Sequence, residues 1–365
     1  MSERRWSWSN LTGGDMTPAE LLRFHARRTL GFVPARALTR GRVQALLLEW
    51  LTPDERRDLA LAGLRDLGGD TLEESAALLV EWSRADDRGA HYAADGYLRL
   101  RAQLAAHGGL EGKVLLELGT GHSLAQGALL VAGGAARYHG VDPFPVARRD
   151  SAHYRRVRTL LSAQGLLDAP GQSEARAAAV VRFDAALGLD HRAEVHPDPL
   201  LLALHRCPAS ELPLADESVD ACVSTSAFEH FRRPGQAARE SVRVLRSGGV
   251  GLHIVDFRDH RFLHDRPLAF LCHSHPEWER VFQGEPNRYL SHELGLSRSA
   301  FQYTNRWRLG RYVQAFEEAG AEVEVEPLLE RPLRPGEREV LHPEFRDCEA
   351  VDLEVLSALL TVRKR

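Results

Sequence analysis

A chain of 365 residues, 44% hydrophobic and 27% charged, can bury a substantial core and build one or two domains. No apolar run reaches the length of a membrane span, and the opening "MSERRWSWSN" has no apolar signal segment, so a cytoplasmic protein with no membrane partner is expected. A net charge of -4 with interleaved signs excludes a basic footprint for nucleic acid, and the scattered Cys207, Cys222, Cys272 and Cys348 exclude a disulfide framework or a cysteine zinc site.

From Thr17 to about His107 apolar residues recur at three-and-four spacing in "TPAELLRFHARRTL", "LTRGRVQALLLEWL", "TPDERRDLALAGLRDL" and "TLEESAALLVEW", which predicts helices. Thr17-Pro18 with Glu20, and Thr52-Pro53 with Glu55, have the form of helix starts. Residues 1–107 therefore read as a helical N-terminal region, a cap or dimerisation element, with Trp6, Trp8, Tyr92 and Tyr97 as packing aromatics between domains. "AAHGGLEG" then breaks the pattern. Beyond it short apolar runs alternate with helices: "KVLLEL", "ARYHGV", a helix near residues 151–164, "LLLALH", "DACVST", the helix "GQAARESVRVL", "GVGLHIVDF", the helix "RLGRYVQAFEEAG", "AEVEVEPL" and "LSALLTVRK". Such alternation predicts an α/β fold with a largely parallel sheet covered on both faces. The glycines in "LRSGGV" and "EEAGAEV" stand where left-handed helix caps are needed.

"VLLELGTGHS" places Glu117 near the end of an apolar strand and follows it with Gly119 and Gly121. A strand-to-helix turn that takes a ligand against its backbone needs residues without a Cβ and with access to positive φ. The next strand, "RYHGVD", ends in Asp142, 142 − 117 = 25 residues after Glu117, near the spacing at which an acid reaches ribose hydroxyls in doubly wound nucleotide folds. A dinucleotide fingerprint would need glycine where Leu124 stands, so NAD is disfavoured and an adenosyl ligand without phosphates is favoured.

In order, "LLELGTGHS", "HGVDP", "ASELPLADESVDACVSTSAFEHF" and "ESVRVLRSGGVGLHIVD" resemble the motifs of class I S-adenosylmethionine-dependent methyltransferases. "NRWRLGRYVQAFEEAGAEVEVEP" is similar to the end of that domain. The resemblance implies a Rossmann-like doubly wound sheet of seven strands, the last antiparallel, over residues 108–365, with insertions at about 150–195 and 257–305. It implies S-adenosylmethionine as cofactor and S-adenosylhomocysteine as product. It also implies Glu117 near the methionine ammonium, Gly119, Thr120 and Gly121 beneath methionine and ribose, Asp142 with Pro143 at the ribose, and Ala209 and Ser210 beside adenine, with Ser224 among the cofactor residues. Many members carry an aspartate one residue before that alanine; here Pro208 stands, with neither acid nor N–H, and Ser210 or Glu211 is the substitute.

Methyl transfer from a sulfonium is an in-line displacement that mostly requires alignment, but a hydroxyl acceptor must also lose its proton. His230 in "STSAFEHF" is the first choice of base, with Glu229 to orient it or contact the acceptor; the alternative is a histidine bonded to loop backbone. Asp256 ends the next strand, and Asp259, His260 and His264 follow it. Carboxylates and histidines there suit a divalent ion, yet in an arginine-rich loop they read as solvated surface, and no metal is expected. "CHSHPEWE", with Cys272, His273, His275 and Glu277, has no recognised zinc spacing. The expected function is methylation of a small-molecule oxygen or nitrogen in bacterial specialised-metabolite or glycan biosynthesis. The alternatives are a non-catalytic binding protein that keeps the fold, or an enzyme of other chemistry such as a cyclase. The oligomeric state is left open, a homodimer included.

Overall fold

The computed structural model describes residues 88–121, 123–143, 147, 149, 151–163, 173–260, 266–278 and 304–365. The four helices expected before residue 88, and Trp6 and Trp8 with them, lie outside the described residues. In chain order the main elements are α1 (Arg88–Ala105), β1 (Val114–Leu118), α2 (Ala125–Ala132), β2 (Arg137–Val141), α3 (Ser151–Ala163), α4 (Ser173–Leu187), β3 (Leu202–His205) and β4 (Val219–Thr225). They continue with α5 (Pro234–Val244), β5 (Leu245–Asp256), α6 (Leu309–Glu318), β6 (Ala321–Glu330) and β7 (Val355–Lys364).

The seven strands form one sheet in the order β3-β2-β1-β4-β5-β7-β6. β1 pairs in parallel with β2 and β4, β2 with β3, and β4 with β5, while β7 runs antiparallel to both β5 and β6. The chain order reverses beside β1, which leaves a crevice at the carboxyl ends of the parallel strands where such sheets receive ligands. The expected seven strands and antiparallel last strand are both present.

Alternation along the strands divides the interior. Leu115 of β1, Tyr138 of β2, Val223 of β4 and Leu252 of β5 face one core with α1, α2 and α4. Leu116, Cys222 and Val255, on the opposite parity, face a second core with α5 and α6. Helix α2, "AQGALLVA", is buried at every residue except Gln126, because it is enclosed by the sheet and by other helices rather than by water on one side. Its first turn is held from outside: Ser123 Oγ accepts from Ala125 N at 3.1 Å, and Tyr154 Oη of α3 accepts from Leu124 N at 3.3 Å. Arg182 of α4 donates to the carbonyls of Val131 in the last turn of α2 and Ala135 beyond it, at 2.9 and 2.6 Å. Helices α3 and α4 thus make the long connection from β2 to β3 part of the core.

Tyr97 of α1 is fully buried in the first core with Leu100 and Leu104, so this helix packs as part of the sheet's own covering. Gly108, Gly109 and Gly112 after it all adopt positive φ, as the break in pattern requires. Of the two glycine caps expected, one holds: Gly320 has φ +90 and its N–H donates to Glu317 O at 2.9 Å at the end of α6. At the other, α5 ends at Val244 and β5 begins at once. Gly248, φ +74, instead serves the irregularity where the β5 register shifts against β4. A strand bulge demands positive φ as a helix cap does, so local composition does not separate them.

Candidate functional site

β1 delivers its chain end to a tight turn at the crevice. Gly119 has φ +81 and donates its N–H to Val141 O at 2.8 Å, and a Cβ there would stand 2.8 Å from that of Ala227. Gly121 has φ +62, and its N–H donates to Asp142 Oδ2 at 3.2 Å. Asp142 therefore sits over the turn from the end of the neighbouring strand, as the spacing suggested. Thr120 lies against β2, where a Cβ at Gly140 would be 2.5 Å from its methyl group. Pro143 follows Asp142 and is exposed.

Glu117 points from β1 into the first core and is 5% exposed. It accepts from Tyr138 Oη at 2.5 Å and from Gln126 Nε2 at 2.7 Å. Burial raises its pKa to about 7; the two hydrogen bonds work against that rise, and neighbouring Asp142 adds to it. A carboxyl group beneath the turn thus changes charge near neutral pH. Tyr138 and Gln126, its two partners, were not picked out from sequence, because neither stands in a motif.

On the side expected for adenine, Ala209 and Ser210 are buried and Glu211 N donates to Pro208 O at 3.0 Å, which turns the chain. Glu211 is exposed, and its Oε1 is 3.1 Å from Arg233 Nη1. Ser224, expected beside the cofactor, is directed elsewhere. Its Oγ lies 2.9 Å from Nδ1 of His253, both are buried, and His253 stacks on Phe316 in the second core. Strand alternation is the reason, since Ser224 shares the parity of Cys222 and not that of Val223.

Beyond β4 a single helical turn, Phe228–His230, continues the crevice. Its backbone is pinned from the start of α6: Asn305 donates from Nδ2 to the carbonyls of Phe228 and Phe231 at 2.7 and 3.0 Å, and from its own N–H to Glu229 O at 2.8 Å. Tyr312 Oη donates to Phe228 O at 3.2 Å. Asn305 and Tyr312 were missed in sequence reading, since only the fold brings them to the turn.

The turn presents Glu229 and His230 toward His260, which follows β5. One ligand-type atom from each of the three lies within 4.8 Å of the others, and no other such group of three exists among the described residues. The rings of His230 and His260 meet edge to face, centroids 5.0 Å apart. Glu229 is 4% exposed; no side-chain donor reaches either carboxylate oxygen, and only the backbone N–H groups of Glu229 and Asp256 come near, without good hydrogen-bond geometry. Burial, and then the charge of Asp256, push its carboxyl well above the usual range.

Asp256 itself is committed. Arg258 grips it from Nε to Oδ1 at 2.8 Å and from Nη2 to Oδ2 at 2.6 Å, and both residues are buried. Burial opposes its ionisation, but the hydrogen bonds and charge of Arg258 outweigh it and hold the carboxyl below its ordinary range. A carboxylate so neutralised is a poor proton acceptor, which weighs against the catalytic part expected for Asp256. His264 lies outside the described residues.

A methyltransferase-domain family model matches residues 171–252. An uncharacterized methyltransferase of Mycobacterium ulcerans is 38% identical over 101 residues, 28% of this chain and 31% of that protein. One of Mycobacterium avium is 36% identical over 101 residues, 28% and 32% of the two chains. The chain thus spans about a third of the length of the curated relatives it matches. Among solved structures, an S-adenosylmethionine-dependent methyltransferase from Mesorhizobium loti aligns over 70% of this chain and 92% of its own at 14% identity and TM-score 0.35. The [4+2]-cyclase SpnF aligns over 73% and 80% at 18% identity and TM-score 0.35. The strand order carries the fold, not these two likenesses. Residues 171–252 thus match a methyltransferase domain, and the strand order and the glycine turn after β1 are those that the sequence's resemblance to class I S-adenosylmethionine-dependent methyltransferases implies.

Proposed function

We propose that this protein transfers the methyl group of S-adenosylmethionine to an oxygen or nitrogen of a small molecule in the bacterial cytoplasm. The observation that carries the reading is the convergence of two carboxyl groups on one glycine turn. Asp142 accepts from the N–H of Gly121, and Glu117 is buried beneath with a pKa raised to about 7. Backbone without side chains, an acid placed for ribose and an acid placed for an ammonium suit an amino-acid nucleoside with no phosphates.

The turn that carries Glu229 and His230 lies beside this cradle, because Ala227 is the residue against which Gly119 packs. An acceptor held there faces the methyl group, and alignment supplies most of the rate. The Glu229, His230 and His260 cluster receives the polar end of the acceptor. Glu211, turned to Arg233, is left to the surface, and the buried Ser210 is the substitute that remains for the adenine contact. No described helix is long and apolar enough to cross a membrane.

The test is a thermal-shift titration with S-adenosylhomocysteine, which stabilises only a native state that binds it. The melting temperature should rise in the wild type and rise much less in Asp142→Ala. Equal behaviour of the two proteins, or no shift at saturation, would remove the cofactor assignment. A mixture of small hydroxylated and amino metabolites with labelled S-adenosylmethionine then reads the acceptor class.

A further inference from the structure

The geometry points to a divalent transition-metal site formed by Glu229, His230 and His260 at the carboxyl ends of β4 and β5. The presence of the ion does not depend on the methyl-transfer reading; its use on an acceptor does.

Three observations support it. The ligand set is two imidazoles and one carboxylate, brought together from separate elements with their donor atoms within 4.8 Å of one another. Ligands about 2.1 Å from a single zinc ion stand about 3.4 Å apart in a tetrahedron, so side-chain motion of about 1 Å closes the site. Glu229 is 4% exposed with no side-chain donor on either oxygen, an arrangement that is costly for a charged carboxylate and that a cation would repay. The adjacent anion is Asp256, whose Oδ2 lies 3.8 Å from His260 Nε2, and it is already neutralised by Arg258. Asp256 thus stands beside a ligand imidazole, beyond hydrogen-bond reach, with its own charge taken up by Arg258.

Two nitrogen donors favour zinc, iron, cobalt or manganese over magnesium or calcium, which take oxygen ligands. Three protein ligands leave coordination positions open, the pattern of a catalytic rather than a structural site. An acceptor hydroxyl bound at an open position would release its proton to solvent water, because the ion stabilises the oxyanion. That oxygen then forms its bond to the methyl carbon as the carbon–sulfur bond breaks, and the electron pair leaves with S-adenosylhomocysteine. His230 would act in this scheme as a ligand, and the base would be water.

The test uses the whole chain and Co²⁺, whose visible d–d absorption reports nitrogen and oxygen coordination. One Co²⁺ per chain is expected, displaced by Zn²⁺ and untouched by Mg²⁺. Glu229→Gln and His260→Ala should each weaken Co²⁺ binding by about tenfold or more. The His260→Ala protein should keep the S-adenosylhomocysteine thermal shift, which separates failure of the metal site from failure of the cofactor assignment. Should Glu229→Gln fold poorly, His230→Ala and His260→Ala, at half-buried positions, carry the test. Absence of a Co²⁺ spectrum, or a spectrum unchanged by these substitutions, overturns the proposal.

Discussion

Glu117 gives the most quantitative test of the cofactor cradle. In the unliganded protein its pKa of about 7 leaves roughly half of the molecules protonated at pH 7 and about ten-elevenths at pH 6. The groups that face it are Tyr138 and Gln126, which donate to it, Asp142, which repels its charge, and Cys222 across on β4. If the ammonium of the cofactor binds the ionised form, binding at pH 6 must first remove that proton. Affinity for S-adenosylhomocysteine should therefore fall about fivefold from pH 7 to pH 6, and about tenfold for each further unit, roughly 1.4 kcal/mol per unit. An amino group stays protonated throughout this range, so the ligand contributes no opposing titration. Isothermal titration calorimetry in buffers of different ionisation enthalpy should show about 0.9 proton released per ligand at pH 6. Glu117→Gln should abolish both the release and the pH dependence.

The same shift fixes a stability consequence with a definite sign. The folded-state pKa lies above the ordinary value of 4.5, so the native state holds the proton after the unfolded state has lost it. Stability from this group is full below about pH 4.5 and is lost as pH rises to 7, on the order of 3 kcal/mol in all. Unliganded Glu117→Gln should thus be more stable than wild type at pH 8 in urea. A wild-type affinity that is flat from pH 5.5 to 7, with no proton release, would refute the assignment of Glu117 to the ammonium.

Gly119→Ala should cost about 1–2 kcal/mol in chemical denaturation from its left-handed backbone alone. The new methyl would also press on Ala227, and S-adenosylhomocysteine affinity should fall with it. Arg308, 4% exposed, donates to the carbonyls of Phe257, Asp352 and Val355 where the β5, β7 and α6 ends meet. Arg308→Met removes the donor to all three carbonyls and should cost about 3 kcal/mol or more in urea unfolding. Burial lowers the pKa of His253 to about 3, so its contribution is full above pH 6.5 and is lost as pH falls toward 3. His253→Phe should flatten that part of the acid-unfolding curve, and an unchanged curve would place the acid sensitivity elsewhere.

What was legible in the sequence is local in origin. Apolar runs, glycines and turn residues set the strands and the β1 turn, because backbone freedom at Gly119 and Gly121 is a property of those residues alone. Asp142 was found for the same reason, since a strand of fixed rise carries it to the crevice edge wherever the sheet lies. Ser224 and Asp256 show the limit of that reasoning. Asp256 was placed at the end of its strand and Ser224 among the cofactor residues, yet alternation turns Ser224 to His253, and Arg258 folds back on Asp256. Glu229 and His260 stand 260 − 229 = 31 residues apart, and neither spacing nor periodicity relates them. The parallel pairing of β4 with β5 brings their ends together, and Asn305, reaching across from before α6, holds the Glu229 turn in place. Tertiary structure alone decided that meeting, because side chains converge at the end of a sheet through strand register, which no single segment encodes.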